Sequence, residues 1–120
     1  MTNERLELKK RAYFYALSVI RFIDSLDKRD FSAQIIAKQL LRPATSIGAN
    51  IIEAQAGSTK KDFTNFFSYA LKSANESKFW LGLLRDSGKA NKERANSLLS
   101  ETNEIANILG SSIITLKGKR

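Results

Sequence analysis

The sequence contains neither cysteine nor histidine. Without cysteine, the chain can form no disulfide, no thiolate nucleophile and no cysteine metal site. Without histidine, it lacks the commonest general base and the commonest metal ligand of proteins. The side chains left for chemistry are carboxylates, hydroxyls, amides and cations. We therefore expect no cofactor and no metal site.

Long apolar runs are also missing. No segment holds the roughly 18 apolar residues that a membrane span requires, and the first ten residues, MTNERLELKK, are too charged for a secretory signal. One proline and six glycines occur, and no repeat or linker-like block divides the 120 residues. The sequence predicts a single domain over residues 1–120, in a cytoplasmic protein with no membrane partner.

Positive charge is in excess. The 20 basic residues against 12 acidic ones give a net charge of +8 and a pI near 9.9. In so small a protein this bias favours a polyanionic partner such as RNA or DNA. Solubility alone is the alternative explanation, and composition does not choose between the two.

The basic residues fall in four local groups. They lie near the N-terminus, around residue 60, around residue 90 and at the C-terminus. The candidate nucleic-acid-binding residues are Lys9, Lys10, Arg11, Lys60, Lys61, Lys89, Lys92, Arg94, Lys117, Lys119 and Arg120. No recognition helix, zinc finger or ribonucleoprotein motif accompanies them, so base-specific readout is not expected.

Helical periodicity dominates the chain. Apolar residues recur at spacings of three and four and rarely alternate, which predicts helices rather than strands. The four predicted helices span about residues 3–27, 32–56, 60–87 and 92–116. Candidate N-caps are Asp30 or Ser32, Thr59 and Asn91, and Gly88 is a natural stop for the third helix.

Each predicted helix has an apolar stripe that should face the core. These residues are Leu6, Tyr13, Leu17, Ile20 and Ile23 in the first helix; Ile36, Leu40, Ala44, Ile47, Ile51 and Ala54 in the second; Phe63, Phe67, Ala70, Ala74, Leu81 and Leu84 in the third; and Ala95, Leu98, Thr102, Ile105, Leu109, Ser112, Ile113 and Leu116 in the fourth. The fold class predicted is all-α, an antiparallel up-down-up-down four-helix bundle. Aromatic residues off these stripes, including Phe14, Tyr15 and Phe22, predict further burial between the subunits of a homo-oligomer.

A short polar stripe lies beside the apolar stripe of the second helix. Together with two residues of the third helix it forms a polar motif: Arg42, Ser46, Asn50, Glu53, Ser73 and Glu76. Such a stripe faces water, meets polar partners in an assembly, or forms a site.

Hairpin register suggests the role of this polar motif. If the second and third helices form a tight hairpin, Ser46 lies near Ser73 and Glu76 lies near Arg42. Glu53 and Glu76 are then too far apart to share a catalytic site, and no base adjoins either serine. We therefore expect a structural motif with an Arg42–Glu76 ion pair, in a protein that is not an enzyme.

The helix-two run QLLRPATSIGANIIEA and the downstream pattern Phe63, Phe66-Phe67, Ala70, Ser73 and Glu76 resemble a known bacterial family. The resemblance is to the four-helix-bundle proteins encoded by intervening sequences of large-subunit ribosomal RNA genes, also labelled the S23 ribosomal protein family. Relatives include the accessory variability proteins of diversity-generating retroelements. The resemblance covers nearly the whole chain.

The resemblance implies a bundle that assembles as a ring, often a pentamer. In the retroelement relatives the basic ring works with nucleic acid and a reverse transcriptase, so a reverse transcriptase is a further expected partner if this chain serves such an element. For most members the role is unsettled. We expect non-enzymatic binding of nucleic acid through a basic surface, without sequence specificity, and the alternative is a scaffold or adaptor that binds only protein.

Overall fold

Four helices make up a four-helix bundle. The protein is represented by a computed structural model that describes residues 3–118, with side chains from residue 7 onward. The helices are α1 (Asn3–Asp24), α2 (Phe31–Ala56), α3 (Lys60–Asp86) and α4 (Lys92–Gly118), and no strand occurs within this range. The bundle measures 51 × 22 × 21 Å. The all-α prediction is confirmed.

Side-chain caps fix the starts of three helices. Asp30 accepts a hydrogen bond from the Ala33 N–H at 3.1 Å, so Asp30 rather than Ser32 caps α2. Thr59 caps α3 through the Asp62 N–H at 3.0 Å, and Asn91 accepts from the Arg94 N–H at 2.9 Å in the first turn of α4. Each cap satisfies a backbone donor that the first helical turn leaves without a partner.

The sequence predicted the end of α3 correctly but not the end of α1. Gly88, just beyond α3, has a φ of 75°, a conformation that favours glycine, and the expected stop is there. The predicted end of α1 near residue 27 is wrong, because α1 ends at Asp24. There the Ser25 hydroxyl donates to the Phe22 carbonyl at 2.6 Å and the chain turns toward α2.

The core is formed by the predicted faces of α2, α3 and α4. The buried residues of these helices include Leu40, Ala44, Ile47, Ile51, Phe67, Ala70, Ala74, Leu81, Leu84, Ala95, Leu98, Thr102, Ile105 and Leu109. Pro43 lies inside α2 and is buried without ending the helix. Three of the four predicted apolar stripes are therefore confirmed in their main residues.

The predicted face of α1 is wrong at Tyr13 and Ile20. Of its other members, Leu17 and Ile23 are half-buried, and the Leu6 side chain lies outside the described residues. The buried residues of α1 are Leu8, Ala12, Tyr15, Val19, Phe22 and Leu26, whereas Tyr13 is 63% exposed and Ile20 is also exposed. Tyr15 and Phe22, expected off the core stripe, belong to the core. Two apolar stripes on α1 both have helical spacing, and the buried stripe is the one that contains Tyr15 and Phe22.

Two small residues meet where α1 packs on α2. At Gly48 in α2, the position of a Cβ atom would lie only 3.5 Å from the Ala12 Cβ, so the two helices approach closely there. A bulky residue in place of Ala12 would prevent that approach. Gly82 of α3 is not at such a contact, since nothing lies within 4 Å of its Cβ position.

Helix α1 packs more extensively on α2 than on α4. Helix α2 also packs on α3, and α3 packs on α4. A buried hydrogen bond of 2.7 Å joins Tyr15 of α1 to Thr102 of α4. The less extensive packing of α1 on α4 leaves a groove between them.

Two phenylalanines on α1 provide a test of the buried face. Phe22 is 1% exposed and Phe14 is 61% exposed. We expect Phe22→Ala to lower the free energy of unfolding by about 3–5 kcal/mol, through lost burial and a cavity. Phe14→Ala should change it by less than about 0.5 kcal/mol. Urea denaturation followed by circular dichroism measures both, and equal losses would contradict the assigned face.

Candidate nucleic-acid interface

The polar motif of α2 and α3 forms a hydrogen-bonded cluster. The Ser73 hydroxyl donates to the Ser46 Oγ at 3.1 Å, as the predicted proximity requires. Asn50 Nδ2 lies 2.9 Å from both the Ser46 Oγ and the Ser46 carbonyl oxygen. The hydroxyls thus meet hydroxyl, amide and carbonyl groups, none of which is a general base. The cluster satisfies polar groups where α2 meets α3.

The charged members of the polar motif lie on the surface. Arg42, Glu53 and Glu76 are all exposed. The predicted ion pair between Arg42 and Glu76 is wrong: Glu76 Oε2 instead accepts a hydrogen bond from Trp80 Nε1 at 3.2 Å. Trp80 follows Glu76 by one helical turn, so this contact needs no exact alignment of two helices.

Two basic groups that are distant in sequence converge on one groove. Lys10 and Arg11 from the first group and Arg94 from the third line a groove of about 650 Å³ between α1 and α4, here called the α1–α4 groove. Arg21 also lines it, although the sequence reasoning missed this residue. Arg21 stands alone in the sequence, but it lies three turns beyond Lys10 on the same helical face, and that spacing could have revealed it.

The other candidate cations lie elsewhere or outside the described residues. Lys9, Lys89 and Lys92 do not line the groove, Lys60 and Lys61 begin α3, and Lys117 lies near the end of α4. Lys119 and Arg120 lie outside the described residues. The structure thus brings together only part of the predicted set.

Apolar and polar side chains complete the α1–α4 groove. The remaining lining residues are Glu7, Phe14, Tyr15, Ser18, Phe22, Ser97, Leu98 and Glu101. Buried Tyr15 and Phe22 reach its floor, and exposed Phe14 lies beside it. Burial raises the pKa of the Tyr15 hydroxyl, so this group stays neutral at ordinary pH.

Arg11 is held by carboxylates of α4. Its guanidinium donates to Glu101 at 3.0 Å through Nε and 2.6 Å through Nη2, and to Glu104 at 3.2 Å. The hydrogen bond to Glu101 raises the pKa of Arg11 above its ordinary value. This bidentate pair fixes the guanidinium and neutralises Glu101 at the groove.

Arg94 is held by an aromatic ring. Its Cζ atom lies 5.8 Å from the centroid of the Phe22 ring, within the range of a cation–π contact. Such a contact orients the guanidinium without neutralising its charge. Arg94 therefore presents a cation at the groove, unlike Arg11.

Lys89 is joined to the cap of α2. Its ammonium lies 2.8 Å from Asp30 Oδ2. The Lys89 hydrogen bond, followed by that of the Ala33 N–H, lowers the pKa of the Asp30 carboxyl. The pair links the α1–α2 and α3–α4 connections and offsets the charge that Lys89 would offer to a phosphate.

Two further features bear on function. Within residues 3–118, no group of three or more histidine, cysteine, aspartate or glutamate residues is placed to hold a metal ion. Over the same described range, no helix is long and apolar enough to cross a membrane.

Comparison with known proteins defines the family. The family model for the 23S rRNA-intervening sequence protein matches residues 4–111. The chain belongs to this family. A similar solved structure, at 1.70 Å resolution, is a protein of unknown function from the S23 ribosomal protein family of Bacteroides thetaiotaomicron VPI-5482. It is 33% identical, with a TM-score of 0.84, and the match covers 91% of this chain and 96% of that one. No curated protein matches.

The family resemblance inferred from the helix-two run is therefore confirmed for the intervening-sequence proteins. The solved relative has a similar fold, but it assigns no activity to this chain because its own function is unknown. Function has to be argued from the surface of this chain.

The Asp30–Lys89 pair predicts a pH dependence. Because the pKa of Asp30 is lowered on folding, its stabilising effect is complete above the unfolded pKa of about 3.9 and is lost as the pH falls through the lower folded value. Asp30→Asn keeps a capping side chain but removes the charge. We expect this variant to be less stable than the wild type at pH 7, with a difference that shrinks below about pH 4.

Urea denaturation of both proteins at a series of pH values measures this difference. A difference that stays constant from pH 7 to pH 2 would mean that the charge of Asp30 does not stabilise the fold.

Proposed function

We propose that this protein is a non-enzymatic, oligomeric helical bundle that binds nucleic acid without base-sequence specificity. The observation that carries the proposal is the convergence of basic residues on the α1–α4 groove. Lys10, Arg21 and Arg94 line it, and none of them forms an ion pair with another described residue. Cations of this kind neutralise phosphates and release the counterions condensed on a nucleic acid.

The acidic residues of the groove do not cancel this charge. Glu101 is neutralised by Arg11, which leaves Glu7 as the second acidic lining residue against Lys10, Arg21 and Arg94. The net charge of +8 on the whole chain adds a long-range attraction for polyanions. The groove cations and the net charge both attract the phosphate backbone, so they support affinity without sequence preference.

We infer that the helices alternate in direction, up-down-up-down. Arg11 of α1 pairs with Glu101 of α4, whereas Phe22, later in α1, lies beneath Arg94, earlier in α4. Contacts that run in opposite order along two helices support an antiparallel pair. The short connections between successive helices support the same arrangement for the whole bundle.

We also infer that the chains associate, with a ring and a pentamer as the expected assembly. The support is the number of large apolar side chains that one chain leaves exposed. These are Tyr13, Phe14, Ile20, Phe31, Ile35, Leu41, Ile52, Tyr69, Phe79, Leu83, Ile108 and Ile114. Tyr69, Phe79 and Leu83 lie on one face of α3, with the exposed Lys72 and Glu76 between them. Burial of such apolar side chains favours a subunit interface.

The same exposed apolar residues suit the alternative function of a scaffold or adaptor. That alternative gains support if the pure protein binds neither RNA nor DNA at low salt, yet forms a stoichiometric complex with a defined protein after nuclease treatment.

The groove cations provide a test of nucleic-acid binding. We expect the triple variant Lys10→Ala, Arg21→Ala and Arg94→Ala to bind RNA and DNA at least about tenfold more weakly at low salt. The slope of log K against log salt should become shallower by up to about 3. Fluorescence anisotropy of labelled RNA and DNA over a salt series measures both quantities.

A matched control separates the groove from net charge. The variant Lys28→Ala, Arg29→Ala and Lys38→Ala also removes three cations, all exposed and none lining the groove. It should retain most of the affinity. Equal losses in the two triple variants would assign binding to overall charge, and no binding by the wild type at low salt would refute the proposal.

Light scattering tests the assembly. One chain has a mass of 13.4 kDa, so a pentamer has a mass of about 67 kDa. We expect the wild type to form the oligomer and Phe79→Asp to shift it toward single chains, because a charge on an apolar interface must be desolvated. Ser100→Asp, at an exposed position of α4, adds the same charge and should leave the mass unchanged. A single-chain mass for the wild type would contradict the inference.

A further inference from the structure

We propose that the α1–α4 groove takes single-stranded nucleic acid, with Phe14 as the platform on which a base stacks. This inference rests on the proposed function and specifies its ligand. The Phe14 side chain is 61% exposed and lines the groove together with Lys10 and Arg21. An exposed aromatic ring among cations is the combination with which proteins hold unpaired bases and their backbone.

The spacing along α1 supports this ligand. Lys10, Phe14 and Arg21 share one helical face, and the two cations are about 16 Å apart along the axis at 1.5 Å per residue. Phe14 lies between them. A strand that follows this face can therefore place phosphates at both ends and a base in the middle.

The opposite wall of the groove adds a third cation. Arg94 of α4 is oriented by the Phe22 ring at 5.8 Å, and its guanidinium remains able to pair with a phosphate. Arg11 has a different role, because its contacts to Glu101 and Glu104 hold α1 and α4 together at the groove. Cationic groups thus lie on both walls of the groove, Lys10 and Arg21 on α1 and Arg94 on α4.

The size of the groove favours unpaired nucleotides. Its volume of about 650 Å³ is within the range of pockets for small organic molecules. A base in a duplex is already stacked and paired, and exposing it to Phe14 would cost several kcal/mol. A duplex can contact the cations through its phosphates, but it must first unpair and unstack a base before that base can stack on Phe14. A single strand has no base pair to break.

Burial in a subunit interface explains the exposed Phe14 side chain less well than base stacking does. A second copy of the chain that covered Phe14 would also have to cover Lys10 and Arg21, and a symmetric contact would place these cations against the same cations of the other copy. Like charges oppose that contact. The exposed Tyr69, Phe79 and Leu83 of α3 lie outside the groove lining, and a second copy can cover them without covering the groove cations.

The decisive experiment compares Phe14→Ala with the wild type on single and double strands. The probes are labelled oligo(dT) of about 16 nucleotides, within the range of known single-strand site sizes, and a mixed-sequence duplex of equal length. We expect Phe14→Ala to weaken binding of oligo(dT) at least about fivefold and that of the duplex less than about twofold. Phe14→Trp, which keeps an aromatic face, should restore the affinity for oligo(dT).

Phe31→Ala is the matched control. Phe31 is 81% exposed and does not line the groove, so its removal should leave both affinities unchanged. Light scattering of each variant shows whether the assembly is kept.

Each other outcome has a distinct meaning. If the wild type binds the duplex as tightly as oligo(dT), and Phe14→Ala changes neither, the single-strand inference fails while the proposed function stands. If neither nucleic acid binds at low salt, both fail. If poly-glutamate of equal charge displaces oligo(dT) as efficiently as unlabelled oligo(dT) does, the groove is a general site for acidic polymers and the inference is overturned.

Discussion

The close contact between Ala12 of α1 and Gly48 of α2 sets the rotation of α1, and the surface of the protein depends on that rotation. A Cβ atom at Gly48 would lie in ordinary van der Waals contact with the Ala12 Cβ, and the stripe that includes Ala12 faces the core. Tyr15 and Phe22 then point inward. Lys10, Phe14 and Arg21 are placed beside α4, so the composition of the α1–α4 groove is a consequence of how one helix packs on another.

Hydrogen bonds and ion pairs hold α1 on α4 where the apolar packing is less extensive. The buried Tyr15–Thr102 hydrogen bond and the bidentate Arg11–Glu101 pair lie at neighbouring levels of the bundle. Both have directional requirements, so they fix position more than they add stability. The Ser46–Ser73 hydrogen bond likewise joins two helices, α2 and α3. A groove with fixed walls can thus exist next to a helix pair with limited apolar contact.

The sequence predicted most of the fold because α2, α3 and α4 each have one dominant apolar stripe and caps with clear side-chain chemistry. It did not predict the face of α1, where Tyr13 and Ile20 gave a stronger apolar pattern than Ala12 and Val19. Hydrophobicity alone does not choose between the two faces, because large side chains occur on both and Tyr15 and Phe22 belong to the buried one. The Arg42–Glu76 pair was predicted from hairpin register alone, and register does not fix where a long exposed side chain points. The convergence of Arg94 with Lys10 was likewise invisible, because it depends on the packing of α1 against α4.

The two proposed activities, nucleic-acid binding and self-association, use different parts of the surface and should differ in their dependence on salt. The proposed phosphate binding in the α1–α4 groove would be electrostatic and would be weakened by salt. The proposed association through Tyr69, Phe79 and Leu83 would bury apolar side chains and would depend less on salt. A ring of such chains would repeat the groove around its symmetry axis, so that one long strand could occupy several grooves at once. Multivalent contact of this kind raises affinity without any added contact within one chain, and it gives a reason for a small basic bundle to assemble.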